Sequence, residues 1–140
     1  MIRWVGVAVA IVLAMLLYPM PRTNPPVEEE IPAPDAVREI LRRSCYDCHS
    51  NETRWPWYAY VPPVKFFVVY DVDEGRCHMN FSTWNNFGAK KRDKRLREIM
   101  EEIDEAEMPL PSYLRLHPDA KLSAEDKELL RVWSEGSLAR

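Results

Sequence analysis

Cysteine is scarce in this chain: three residues in 140, an odd number and too few for a disulfide framework. An excess of charge is lacking too. A formal net charge of -3 points neither to nucleic acid nor to any other polyanion as a partner. Glycine is also rare, with four residues against twelve prolines, and six of those prolines lie between Pro19 and Pro34. No internal repeat is visible, and no segment shows strand alternation with a neighbour to pair with. There is room for one domain and an appendage.

The appendage comes first. After Arg3 the chain runs without a charge from Trp4 to Met20, 17 residues at the short end of what spans a bilayer. As a helix it covers roughly 25 Å, with Trp4 and Tyr18 placed where interfacial aromatics belong. The run ends in Tyr18-Pro19-Met20-Pro21-Arg22, without the small residues a signal cleavage site needs. Residues 1–20 therefore read as an uncleaved transmembrane anchor rather than a cleaved signal. Residues 21–34 read as a proline-rich, extended and solvated tether, about 3 Å per residue where polyproline II forms. Residues 35–140 form the domain.

Within the domain the period is helical. Asp35 can cap a helix in which Val37, Ile40 and Leu41 share a face, and Cys45 falls four residues on, pointing to the core. VKFFVVYDV (64–72) has strand-like composition but follows two prolines, and it reads as a short helix ended by Asp73-Glu74-Gly75. Ala89 to about Glu105 is a helix with an apolar stripe of Leu96, Ile99, Met100 and Ile103. Its basic residues precede its acidic ones, against the helix dipole, at a cost of a few tenths of a kcal/mol per charge. A solvated face with pairs such as Lys94 and Glu98 accounts for them better than a docking patch. Ser123 and Asp126 resemble a capping box, opening a last helix with Leu129, Leu130 and Trp133 on its apolar face and Gly136 as its stop. About four helices make a thin core unless something else fills it.

The chemistry concentrates in SCYDCHSNETRWPWY (44–58), where Cys45, Cys48 and His49 form a CxxCH motif. Two thiols at this spacing reach both vinyl groups of a haem from one helical turn, and the next residue lies under the iron as axial ligand. A redox dithiol would need a strand before the motif and a helix starting at it, and here a helix ends at it. A structural zinc site would need two further ligands, and only the adjacent Cys77 and His78 are on offer. One covalent haem c is the reading, and the aromatic run WPWY that follows is expected to wrap it. Cys77 reads as a partly buried free thiol.

For the second axial position the candidates are Met79, Met100, Met108, His78 and His117. Met100 lies on a core stripe, and packing explains Met79. Met108 follows a helix end and precedes Pro109 in the braced loop EMPLPSYL, which suits a thioether held at iron; His78 and His117 stay open.

At RTNPPV (22–27), SCYDCHSNETRWPWYAYVPPV (44–64), DVDEGRCHMNFSTW (71–84) and MPLPSYLRLHPDAKLS (108–123) the sequence resembles the bacterial haem-binding domain family of small, membrane-anchored, single-haem c-type proteins. The resemblance implies an all-α, cytochrome c-like domain with haem on Cys45 and Cys48 and His49 as ligand. It supports Met108 as the distal ligand. Cys77, and Phe66-Phe67 where Ser-Trp is expected, depart from that family's pattern.

The function expected is electron transfer by a mono-haem c-type cytochrome, not an enzyme, with a redox protein as partner and no nucleic acid. Because covalent haem attachment takes place outside the energised membrane, the domain is expected in the periplasm, on a single pass through the inner membrane. The alternative is a haem-based sensor or peroxidase accessory with a labile distal site.

Overall fold

A computed structural model describes residues 2–138 of the chain, all as helix or connecting loop, with no strand among the described residues beyond one isolated bridge between Glu29 and Thr83. The helices are α1 (Ile2–Leu17), α2 (Asp35–Ser44), α3 (Tyr46–His49), α4 (Val64–His78), α5 (Ala89–Asp104), α6 (Pro111–Leu114) and α7 (Ala124–Leu138). Short 3₁₀ turns occupy Trp57–Tyr60, Trp84–Asn86 and Pro118–Ala120.

Helix α2 buries Val37, Ile40, Leu41 and Ser44, the i, i+3, i+4, i+7 set of a one-sided helix. Its expected cap differs. Asp35 is the first helical residue and makes no cap bond; its carboxylate instead accepts from Arg38 at 2.7 Å, in the first turn where negative charge suits the helix dipole. Helix α5 buries the four stripe residues Leu96, Ile99, Met100 and Ile103, and Lys94 pairs with Glu98 at 3.3 Å. Helix α7 begins in a reciprocal box: Ser123 N–H donates to Asp126 Oδ2 at 2.8 Å, and Asp126 N–H donates to Ser123 Oγ at 3.0 Å. It runs through Gly136 to Leu138 rather than stopping there, and Leu129 faces outward while Leu130 and Trp133 are buried.

Helices α5 and α7 pack together, α7 packs on α2, and Phe81 and Trp84 join their core. Helices α3 and α4 form the other wall with the Trp57–Tyr60 turn. Helix α4 is longer than expected: it continues past Asp73-Glu74-Gly75 to His78.

Two further expectations are corrected. The proline-rich segment is extended but lies on the domain rather than in solvent. Ile31 is 1% exposed, Glu28 and Glu29 N–H donate to Ser82 O, and Ile31 N–H donates to Phe81 O. Helix α1 has 16 residues, about 24 Å, and no helix among the described residues is long and apolar enough to cross a membrane.

Candidate functional site

A cavity of about 700 Å³ opens between α3 and α4 on one side and the end of α5 with the loop after it on the other. That is the size of a cofactor site. Its lining includes Cys45, Cys48, His49, His78, Met79 and Met108, with Ile99, Ile103, Leu110 and Leu122 as apolar wall. Met100 lies in the hydrophobic core instead, and His117 lines a separate, smaller cavity.

The CxxCH turn is built from the end of α2. Cys45 N–H still donates to Leu41 O at 2.8 Å, and its own carbonyl accepts from Cys48 N–H and His49 N–H at 3.2 and 2.9 Å. One helical turn thus carries both thiols and the imidazole. His49 Nδ1 lies 3.0 Å from Gly75 O and 3.1 Å from Met79 O. Carbonyl oxygens only accept, so Nδ1 carries the proton and Nε2 keeps its lone pair. Burial lowers the His49 pKa against the opposing pull of these two carbonyls, and the ring is neutral.

Gly75, expected as a helix stop, is a contact point. A Cβ there would stand 2.6 Å from Cys48 O and 3.1 Å from Cys48 C. Only glycine lets α4 come this close to the motif and place its carbonyl under His49. The thiols are inert in acid–base terms. Burial pushes Cys45 and Cys48 each up to about 12, with Cys48 itself as a second cause for Cys45 and Asp47 for Cys48. A dithiol exchange site needs the opposite shift.

Arg76 joins the segments around the motif. Its guanidinium donates to Ser50 O at 2.8 Å, Thr23 O at 2.9 Å, Asn24 Oδ1 at 3.0 Å and Thr53 Oγ1 at 2.8 Å. Asn80 Nδ2 donates to Asn51 Oδ1 at 2.8 Å, and Asn51 Nδ2 to Pro26 O at 2.8 Å. RTNPPV therefore belongs to the frame of the site.

Met108 is delivered by the end of α5. Ala106 takes the left-handed conformation at φ 59°, and Glu107 and Met108 N–H both donate to Glu102 O, at 3.0 and 3.1 Å. Further along, Tyr113 Oη donates to Asp47 Oδ2 at 2.7 Å, tying this loop to one of the two residues between the cysteines. Burial first, then Asp47, raises the Tyr113 pKa. His117 stacks on the Tyr113 ring, centroids 4.0 Å apart, as a support of the loop rather than part of the cavity.

His78 lines the cavity but is exposed, 3.9 Å from Glu74. Cys77 is exposed, not partly buried, because the α4 end points it outward. The WPWY run does not line the cavity, and Trp57 faces solvent. Asp47, Arg76 and Tyr113 were not singled out by sequence, and Gly75 was read only as a helix stop. A glycine inside an apolar helix was the one signal available.

The donor set fits a haem iron: a neutral imidazole with Nε2 free, two thiols on one turn, a thioether in the same cavity and apolar walls. Among the described residues no three His, Cys, Asp or Glu side chains converge to hold a bare metal ion. The family described as Haem-binding domain matches residues 9–136. No curated protein and no solved structure matches the chain.

Proposed function

Because the chain belongs to the haem-binding domain family and is thereby a haem-binding protein, we propose that it is a mono-haem c-type electron carrier with a cytochrome c-like arrangement. The observation that carries this is the single cavity lined by Cys45, Cys48, His49 and Met108, with His49 Nδ1 committed to two backbone carbonyls.

When bound there, haem supplies a reversible one-electron change at its iron. The chain's residues do the rest. Cys45 and Cys48 would hold the group as thioethers, the product of S–H addition across each vinyl C=C, which needs no oxidant. His49 presents Nε2 in a fixed plane because Gly75 and Met79 hold Nδ1–H, which also raises ligand basicity. Met108, placed by the Glu102 carbonyl and the Tyr113–Asp47 bond, would offer its thioether to the iron from the loop after α5. Ile99, Ile103, Leu110 and Leu122 would pack against the group, beside the carboxylates of Glu98, Glu101, Glu102 and Glu105 that also line the cavity.

Although α1 is not long and apolar enough to cross a membrane, its exposed apolar surface supports its burial in a lipid surface. Covalent haem attachment, a reaction of the outer side of the energised membrane, would support a periplasmic domain with a redox protein as partner. Covalent attachment is tested by acid extraction followed by a pyridine haemochrome spectrum. Haem that stays with the wild-type chain, but is extracted from Cys45→Ala plus Cys48→Ala, supports the reading. Haem extractable from the wild type overturns it.

A further inference from the structure

We propose that the domain rests on the phospholipid surface through the face formed by Trp57, Tyr60, Val64, Phe67 and Tyr70. The proposal deepens, and rests on, the insertion of α1 in a membrane.

These side chains are all exposed. Trp57 is 76% exposed, Tyr60 55%, Phe67 66% and Tyr70 62%, and Val64, Phe67 and Tyr70 recur every third residue along α4. Nothing in the haem site uses Trp57, Tyr60, Val64 or Phe67. Residues 55–70, WPWYAYVPPVKFFVVY, contain no acidic side chain, and tryptophan and tyrosine are the residues that prefer the membrane–water boundary.

The face is continuous with the end of α1. Lys65 is 4% exposed because its Nζ donates to Leu16 O at 3.3 Å and Tyr18 O at 2.8 Å, fastening the last turn of α1 to the first turn of α4. The Tyr18 ring meets Phe66 with centroids 5.9 Å apart. Arg22 lies 4.2 Å over the Tyr60 ring and donates to Ala59 O at 3.3 Å. Where α1 leaves the lipid, the aromatic face begins. Lys65 is committed to the carbonyls of α1, whereas half-buried Arg22 pairs with no carboxylate among the described residues and offers its cation to lipid phosphates.

A segment docked on the domain and a lysine lock replace the free tether, and they hold the domain down rather than away. Tyr70 also lines the cavity. The seat therefore turns one rim of the haem pocket toward the lipid surface, where a membrane-embedded redox partner would meet it.

The test uses the full chain, haem-loaded, in Cys77→Ser background, reconstituted in phosphatidylcholine–phosphatidylglycerol vesicles. Spin labels are placed singly at Phe67→Cys, Val64→Cys, Val9→Cys and Ser112→Cys, and each variant is checked for an unchanged haem spectrum. Collision with oxygen is compared with collision with an aqueous nickel chelate. The expected result is that Phe67 and Val64 favour oxygen, as Val9 in α1 does, while Ser112 favours nickel. If Val9 favours oxygen but Phe67 and Val64 behave like Ser112, the seat is overturned and the anchor stands. If all sites favour nickel, the anchor falls and the seat with it. Low collision with both reagents at Phe67, with spin–spin broadening, assigns the face to a second copy of the chain and overturns the proposal.

Discussion

Gly75→Ala separates a glycine kept for space from one that merely sits in a helix. In the interior of an α-helix this change ordinarily stabilises by about 0.8–1 kcal/mol. At Gly75 the new Cβ meets Cys48 O at 2.6 Å, Cys48 C at 3.1 Å and Cys48 Cβ at 3.2 Å. Two of these atoms are backbone, so no rotamer change relieves the contact. Overpacking of this kind costs about 1–3 kcal/mol. Moving α4 outward would also stretch the bond from His49 Nδ1 to Gly75 O, worth roughly 0.5–1.5 kcal/mol. Set against the helix gain, the net is a loss of about 1–3 kcal/mol. Gly136 in α7 supplies the control, since a Cβ there meets nothing within 4 Å. Gly136→Ala should be neutral or stabilise by up to about 1 kcal/mol. Guanidinium unfolding of both haem-loaded variants, followed by far-UV circular dichroism, gives the two shifts. A Gly75→Ala protein as stable as Gly136→Ala, with an unchanged haem spectrum, would refute the account of how α4 meets the motif.

Tyr113→Phe keeps the ring stacked on His117 and removes only the bond to Asp47. A loss of about 1–2 kcal/mol is expected, with weakening of the thioether-to-iron absorption band as the loop loosens; no change in either shows the clamp to be idle. Burial works to raise the Asp126 pKa, but its bonds with Ser123 and Arg43 prevail and hold it below the ordinary value. Its folded pKa is depressed, so its contribution is present above the unfolded value of about 3.9 and is lost as pH falls through the lowered folded value. Asp126→Asn should therefore lower stability at neutral pH and flatten its decline between about pH 4 and the acid limb, as read from urea midpoints across pH. A parallel decline in both proteins contradicts this.

The helices that carry the core were legible because their periodicity is local. Val37, Ile40 and Leu41 announce α2, four stripe residues announce α5, and Ser123 with Asp126 announces α7. The CxxCH turn is legible for the same reason, with its functional residues within five positions. What was illegible depends on partners far along the chain. Gly75 reads as a stop until Cys48 is seen against it, and Asp47 reads as a spacer until Tyr113 reaches it. The proline-rich segment reads as a tether because its anchors, Arg76, Asn51 and Ser82, lie far away in sequence. Ala106 ends α5 without the glycine that usually marks such a stop. WPWY shows the converse error: aromatic residues beside a haem motif were taken for its wrapping, and none of the four lines the cavity, with Trp57 facing solvent.

The central proposal is that His49 and Met108 would both hold the haem iron and make the chain an electron carrier. It is tested most directly by the ferric absorption spectrum of the wild type beside Met108→Ala. The account predicts a low-spin wild type with a thioether-to-iron charge-transfer band, silent to carbon monoxide when reduced, and a variant that loses the band and binds the gas. A wild type that is high-spin and takes up carbon monoxide readily, indistinguishable from Met108→Ala, would contradict it.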